Sequence, residues 1–318
     1  MSMDTPQGRT FLGVPDAGQQ ALSGVSIAIF GAAEATPHLP GRASHAARAP
    51  SALRDSTQSI ASDLLRWDFD QDGPLLAPGL RVVDLGDLAT SPATPLENRA
   101  LISATTASIV KAGAVPVLLG GDDSVPIPFF AGFESCGPLT IVQIDAHLDW
   151  RDERGGLKHT FSSTMRRASE MPWVERIIQV GQRGVGGSRG DDLADARAWG
   201  VSLFSAASVR RHGVEPILAQ IAPDSRCIIT LDCDGLDPAV IPGVLVPQPG
   251  GLFYLDIVEL LHGIAARARI VGFDLVELVP DADVRGLGVL AASRILCVAL
   301  GCIGRQRSAL RERRPKAR

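Results

Sequence analysis

Tyrosine occurs once in 318 residues, aromatic side chains make up 5% of the chain, and the formal net charge is only -4. With so few aromatics, aliphatic residues must build the core, which suits a sheet buried on both faces. The charge balance leaves no basic face for nucleic acid. No uninterrupted apolar run is long enough to span a bilayer, so no membrane partner is expected. The opening Met1-Ser2-Met3-Asp4-Thr5-Pro6-Gln7 lacks the charged-then-apolar layout of a secretory signal, and a cytoplasmic location is expected by default. Five cysteines, Cys136, Cys227, Cys233, Cys297 and Cys302, form no C-x-x-C pair and are odd in number, which fits reduced thiols better than a disulfide framework. Glycine (33) and proline (22) are plentiful, as in an enzyme rich in loops.

Short aliphatic runs alternate with amphipathic stretches along most of the chain. Strands are expected at residues 25–31, 80–87, 115–119, 139–145, 176–182, 201–204, 226–231 and 268–277. Helices are expected at 49–67, 95–112, 191–199, 214–221, 254–267 and 287–303, the last long, apolar and buried. About eight strands joined by helices imply an α/β fold with a mostly parallel sheet covered on both sides. Residues 1–22 read as an N-terminal arm on the surface or on a neighbouring subunit. Residues 23–304 read as a single domain and 305–318 as a basic, solvated tail.

Two stretches carry the chemistry. The run ending Ile144-Asp145-Ala146-His147-Leu148-Asp149 would, if extended, project Asp145, His147 and Asp149 to one side. Downstream, an apolar run leads into Asp232-Cys233-Asp234-Gly235-Leu236-Asp237-Pro238, where Asp232 and Asp234 again share a face while Cys233 turns away. A lone Asp-x-His at a strand end is most often a turn or a cap. Two such combs are different, because carboxylates gathered at one sheet edge repel one another and raise their own pKa values unless cations compensate. Carboxylates with one imidazole suit a pair of hard or borderline divalent ions.

Together with Gly120-Gly121-Asp122-Asp123-Ser124 and Gly272-Phe273-Asp274-Leu275-Val276-Glu277, these stretches resemble the ureohydrolase (arginase/agmatinase) family over most of the chain. The resemblance implies a three-layer α/β/α fold, assembly as a homo-oligomer (trimer or hexamer), and hydrolysis of a guanidino compound to urea and an amine. It implies two divalent ions per chain, manganese first and nickel as the alternative. On the matching positions, Asp145 and Asp232 would bridge the ions, Asp149 would bind the first, and His147 and Asp234 the second. Two cations sharing a water lower its pKa and aim it at the guanidinium carbon. Asp149 would also carry a proton to the leaving nitrogen, and Glu277 would face the guanidinium.

Two positions depart from the family pattern. Asp123 stands where the family places a histidine on the first ion, so that ion would be held by carboxylates alone. Phe161 stands where relatives carry a loop histidine, and His159, two residues earlier, is the candidate to reach the same place as a catalytic and substrate-binding group. His38, His45, His212 and His262 are expected to be structural or exposed. The segments after the two combs look agmatinase-like, and the pair Asp152-Glu153 would favour a cationic tail if it faced the substrate. The alternatives are a guanidine, biguanide or guanidino-acid substrate, or a catalytically weak subunit mixed with an active paralogue, a reading prompted by Asp123. Deacetylation on a related fold fits less well, because the paired combs point to two ions rather than one zinc.

Overall fold

The computed structural model describes residues 9–17, 22–61, 63–185 and 188–312. All eight expected strands form: β1 (Ile27–Ala32), β4 (Val82–Asp87), β5 (Val115–Gly120), β6 (Leu139–Ile144), β7 (Val174–Val180), β8 (Ser202–Phe204), β9 (Arg226–Asp232) and β10 (Arg269–Val276). They make one sheet in the order β4-β1-β5-β10-β9-β6-β7-β8. Every pairing in it is parallel. A separate two-stranded ribbon, β2 (Trp67–Asp68) with β3 (Gly73–Pro74), lies outside this sheet.

Alternation along each strand divides the core in two. Val115, Val117 and Leu119 of β5, with Ile229 and Leu231 of β9, pack with α8 (Tyr254–Arg267) and α9 (Leu287–Glu312). Leu118 and Ile228 belong to the opposite core, with Ile102 and Ile109 of α2 (Pro95–Lys111) and Phe129 and Phe130 of α3 (Pro126–Ala131). Helices on both faces of a parallel sheet give the three layers expected from the aliphatic runs.

Several boundaries differ from the sequence reading. The helix expected at 49–67 stops as α1 (Ala49–Ser56), because the chain turns at residues 57–61 and then enters the β2–β3 ribbon. The helix expected at 214–221 shrinks to α7 (Glu215–Leu218), and 191–199 is α5 (Gly190–Trp199). Three short helices had no signal long enough to read, α3, α4 (Thr164–Ser169) and α6 (Ala206–His212). The described part of the N-terminal arm is anchored in the core: Phe11 and Leu12 are fully buried, and the Phe11 N–H donates to Asp84 Oδ2 at 2.9 Å. Asp84 is held in turn by Arg54, whose Nε and Nη2 donate to its two oxygens at 2.8 and 3.0 Å, a buried bidentate pair. Residues 1–8 and 18–21 of that arm lie outside the described residues.

The tail expected to be solvated from residue 305 begins as helix, since α9 continues through Glu312 and Arg305 Nη1 donates to Gln71 Oε1 at 2.8 Å. Residues 313–318 lie outside the described residues. The stretch Leu287–Ala309 of α9 is long and apolar enough to cross a membrane, but 78% of its most apolar window is buried inside the fold. It serves the core.

Candidate metal centre

The four central strands β5, β10, β9 and β6 are neighbours, and their carboxyl ends carry Asp123, Glu277, Asp232 and Asp145. In open parallel sheets this edge is where ligands gather. The register that pairs Ile144 with Leu231 and Val276 with Asp232 sets Asp145 and Asp232 level on adjacent strands.

The combs themselves are not extended, as strand alternation would require. β6 ends at Ile144, and Asp145 to Asp149 form a loop in which Asp149 takes a left-handed backbone, φ 46°. That conformation is unusual for a residue with a Cβ and costs about 1–3 kcal/mol. It is held by the N–H groups of Met165 and Arg166, which both donate to the Asp149 carbonyl at 3.1 Å. The second comb is a 3-10 turn, Cys233–Gly235, closed where Asp232 Oδ1 accepts the Asp234 N–H at 2.7 Å. Glycine is required at 235, since a Cβ there would lie 2.8 Å from the Asp145 nitrogen. Arg183 fixes this turn from behind by donating to the carbonyls of Asp234 (2.7 Å), Leu236 (2.9 Å) and Gly235 (3.1 Å). Convergence therefore comes from turn geometry rather than from the pleat.

Two donor groups result, Asp123 with Asp145 and Asp149, and Asp145 with His147 and Asp234; within each, the donor atoms lie within 4.8 Å of one another. Asp145 belongs to both. Asp232 belongs to neither triad, but it is buried and lines the same cavity of about 340 Å³, together with Asp123, His147, Asp149, Asp234 and Glu277. His147 Nδ1 stands 3.1 Å from Asp234 Oδ2 and 3.4 Å from Asp145 Oδ1. Gln143 Nε2 donates to Asp145 Oδ2 at 2.7 Å and to Asp149 Oδ2 at 3.0 Å, and Gln179 Nε2 bonds Gln143 in turn. This buried amide pair orients two of the carboxylates and had no signal in the sequence.

The donor set fits cations. Both oxygens of Asp123 are buried without a hydrogen-bond partner among the described residues, a costly state for a carboxylate unless an ion compensates. Burial, and then the charge of Asp149, push the Asp123 and Asp145 carboxyls well above the usual carboxylate range. Burial and then Asp234 do the same to Asp232. Burial pulls the His147 imidazole down, but the bond to Asp234 and the surrounding negative charge outweigh it and push it up to about 9. The same crowding of negative charge that raises these groups would be relieved by cations.

Glu277 also has a left-handed backbone, φ 62°, and its Oε1 accepts the Asp123 N–H at 2.9 Å. Its Oε2 lies 2.5 Å from His45 Nε2, so His45, expected to be structural or exposed, belongs to the site. Its place in the loop after β1, a neighbour of β5 in the sheet, was the only hint. His159 is not brought to the centre; it lines a separate cavity with Arg99, Arg167 and Glu170. Phe161 lines the centre instead, with His38 packed on its ring at 4.7 Å and the Arg154 guanidinium above it at 5.1 Å. Asp152 turns to Arg167 (2.7 Å) and Lys158 (3.7 Å), and neither it nor Glu153 lines the cavity, whereas Arg151 and Arg154 do.

Residues 26–301 match the model of the arginase family. A guanidinobutyrase of Pseudomonas aeruginosa is 30% identical over 236 residues, covering 71% of this chain and 73% of its own. An N(1)-aminopropylagmatine ureohydrolase of Thermus thermophilus is 34% identical over 211 residues, covering 66% and 70%. The crystal structure of a hypothetical agmatinase from Burkholderia thailandensis superposes with a TM-score of 0.80 at 25% identity, over 96% of this chain and 93% of that one. Fold, strand-end carboxylates and sequence agree, and the chain belongs to the arginase family, as a hydrolase of amidine C–N bonds.

Proposed function

We propose that this protein hydrolyses a guanidino compound with a carboxylate tail, using two divalent ions, manganese by preference, held by Asp123, Asp145 and Asp149 on one side and by Asp145, His147 and Asp234 on the other, with Asp232 beside them. The observation that carries this reading is the pair of donor groups that share the buried Asp145, with their other four members, Asp123, Asp149, His147 and Asp234, lining one cavity. All-oxygen ligation of one ion suits manganese. When bound, the ions neutralise the clustered carboxylates and acidify water at neutral pH.

The chain's own residues supply the rest. Glu277 presents a carboxylate to the planar guanidinium, a geometry apt for paired N–H donors. Asp149, oriented by Gln143, accepts a proton from the attacking water and delivers it to the leaving nitrogen. The water oxygen becomes the urea carbonyl, the C–N bond to the tail breaks, and both water protons end on the departing amine. Phe161, with His38 packed on its ring, supplies an apolar stretch of the cavity wall.

The tail is chosen at the mouth. Arg151 and Arg154 would meet a carboxylate favourably and the ammonium of agmatine unfavourably, while the acidic pair that would prefer agmatine is turned outward. The guanidinobutyrase likeness supports the same choice. The test is urea release by the manganese-loaded protein from guanidinobutyrate, guanidinopropionate, agmatine and arginine. Higher kcat/KM for the two acids is expected; a preference for agmatine would overturn the tail assignment, and no urea from any of them would overturn the activity.

A further inference from the structure

A second cavity, about 420 Å³ in volume, is lined by Arg99 and Ser103 of α2, Pro128 of α3, His159, and Arg167 and Glu170 at the end of α4. None of these residues takes part in the chemistry above. Arg167 is 7% exposed; its Nη2 pairs with Asp152 at 2.7 Å and Glu170 at 2.9 Å, but its Nε is buried without a hydrogen-bond partner among the described residues. Arg99 is partly buried and has no carboxylate partner among the described residues, its Nη1 donating to Thr36 Oγ1 at 2.8 Å. Burial lowers the Arg99 pKa with nothing opposing it, and burial followed by the charges of Arg99 and Arg167 lowers that of His159. Of the two carboxylates paired with Arg167, only Glu170 lines the cavity, where it stands with two guanidinium groups and an imidazole. Partly desolvated guanidinium donors left over in a cavity this size call for an anion.

We propose that this cavity is a binding site for a small oxyanion, carboxylate or phosphate, held between Arg99 and Arg167 with His159 as a further donor. It is linked to the metal centre by one loop and two hydrogen bonds. His159 and Phe161 lie on one loop, with Phe161 facing the other cavity. Thr164 Oγ1 of the Arg167 helix donates to the Asp123 carbonyl. Thr36, the partner of Arg99, donates its N–H to Ser124 Oγ at 2.9 Å, one residue from Asp123. An anion here fixes the loop that carries Phe161 and so tightens substrate binding, lowering KM with little effect on kcat.

Binding is read without substrate, so it stands or falls separately from the hydrolytic assignment. Inorganic phosphate, and in a second arm acetate, is titrated into the manganese-loaded protein against chloride at equal ionic strength, following thermal unfolding. Saturation by the preferred anion should raise Tm by about 2 °C. Arg99→Gln should abolish the rise, and Arg99→Lys, which keeps the charge, should retain part of it. Should Arg99→Gln fail to fold, calorimetric titration of the wild-type protein with the same anions decides. A rise that survives Arg99→Gln, or no rise and no heat with either anion, would overturn the proposal.

Discussion

Glu277 is held from two directions, by the Asp123 N–H on one oxygen and by His45 on the other, in a backbone conformation that few residues with a Cβ adopt. Burial lowers the His45 pKa, but the bond to Glu277 and its charge raise it by more, so His45 keeps its proton to higher pH than an ordinary histidine. Under the proposed mechanism its role is to fix the carboxylate that would meet the guanidinium. His45→Asn should therefore leave the metal content unchanged and lower kcat/KM by about 10². It should also remove from the pH–rate profile the ionisation above the ordinary histidine value; an unchanged profile would contradict this role. Under the same proposal Arg154 would act on the tail instead. Arg154→Ala should raise KM for guanidinobutyrate about tenfold, the equivalent of about 1.4 kcal/mol, with kcat nearly constant. Equal losses for agmatine and guanidinobutyrate would show that Arg154 supports the loop rather than the substrate.

The turns that aim the ligands depend on other elements. Arg183, in the loop after β7, ties down the consecutive carbonyls of Asp234, Gly235 and Leu236 at the end of the Cys233–Gly235 turn and so points Asp234 at His147. Arg183→Ala should weaken metal binding by about 10–100-fold without touching a ligand, measured by competition with a fluorescent chelator; unchanged affinity would mean the turn stands alone. This dependence explains what was legible in the sequence and what was not. Strands such as Leu139–Ile144 announce themselves, because an aliphatic run of that length, buried on both faces, has one reading once helices flank it. The carboxylates at their ends were legible for the same reason. How they converge was not, since the left-handed Asp149 and the turn after Asp232 are set by contacts with α4 and Arg183, far away in sequence. Gln143 and His45 were missed because a polar residue inside a strand or a loop histidine acquires its role only from its partners. The backbone path of residues 158–164 decided between His159 and Phe161, and no periodicity records that path.

Across the whole protein, the buried carboxyls couple folding, protons and metal. Asp123, Asp145 and Asp232 have folded pKa values above their unfolded ones, so above the ordinary carboxylate range the metal-free native chain holds more protons than the unfolded chain. Their contribution is fully present below the unfolded pKa and is lost as pH rises through the folded values. Metal binding displaces those protons and reverses the trend. Between about pH 5 and about pH 8, the contribution of these carboxyls should lower Tm of the metal-free protein, and the gain in Tm on adding manganese should grow. A manganese effect independent of pH would mean the carboxyls are already ionised without metal. The sharing of Asp145 by both donor groups is the feature on which the proposed hydrolysis would depend. Elemental mass spectrometry of the purified protein and of Asp145→Asn tests it most directly: two divalent ions per chain in the wild type and almost none in the variant are predicted. A wild type with fewer than two ions, or a variant that keeps both, would contradict a centre built around Asp145.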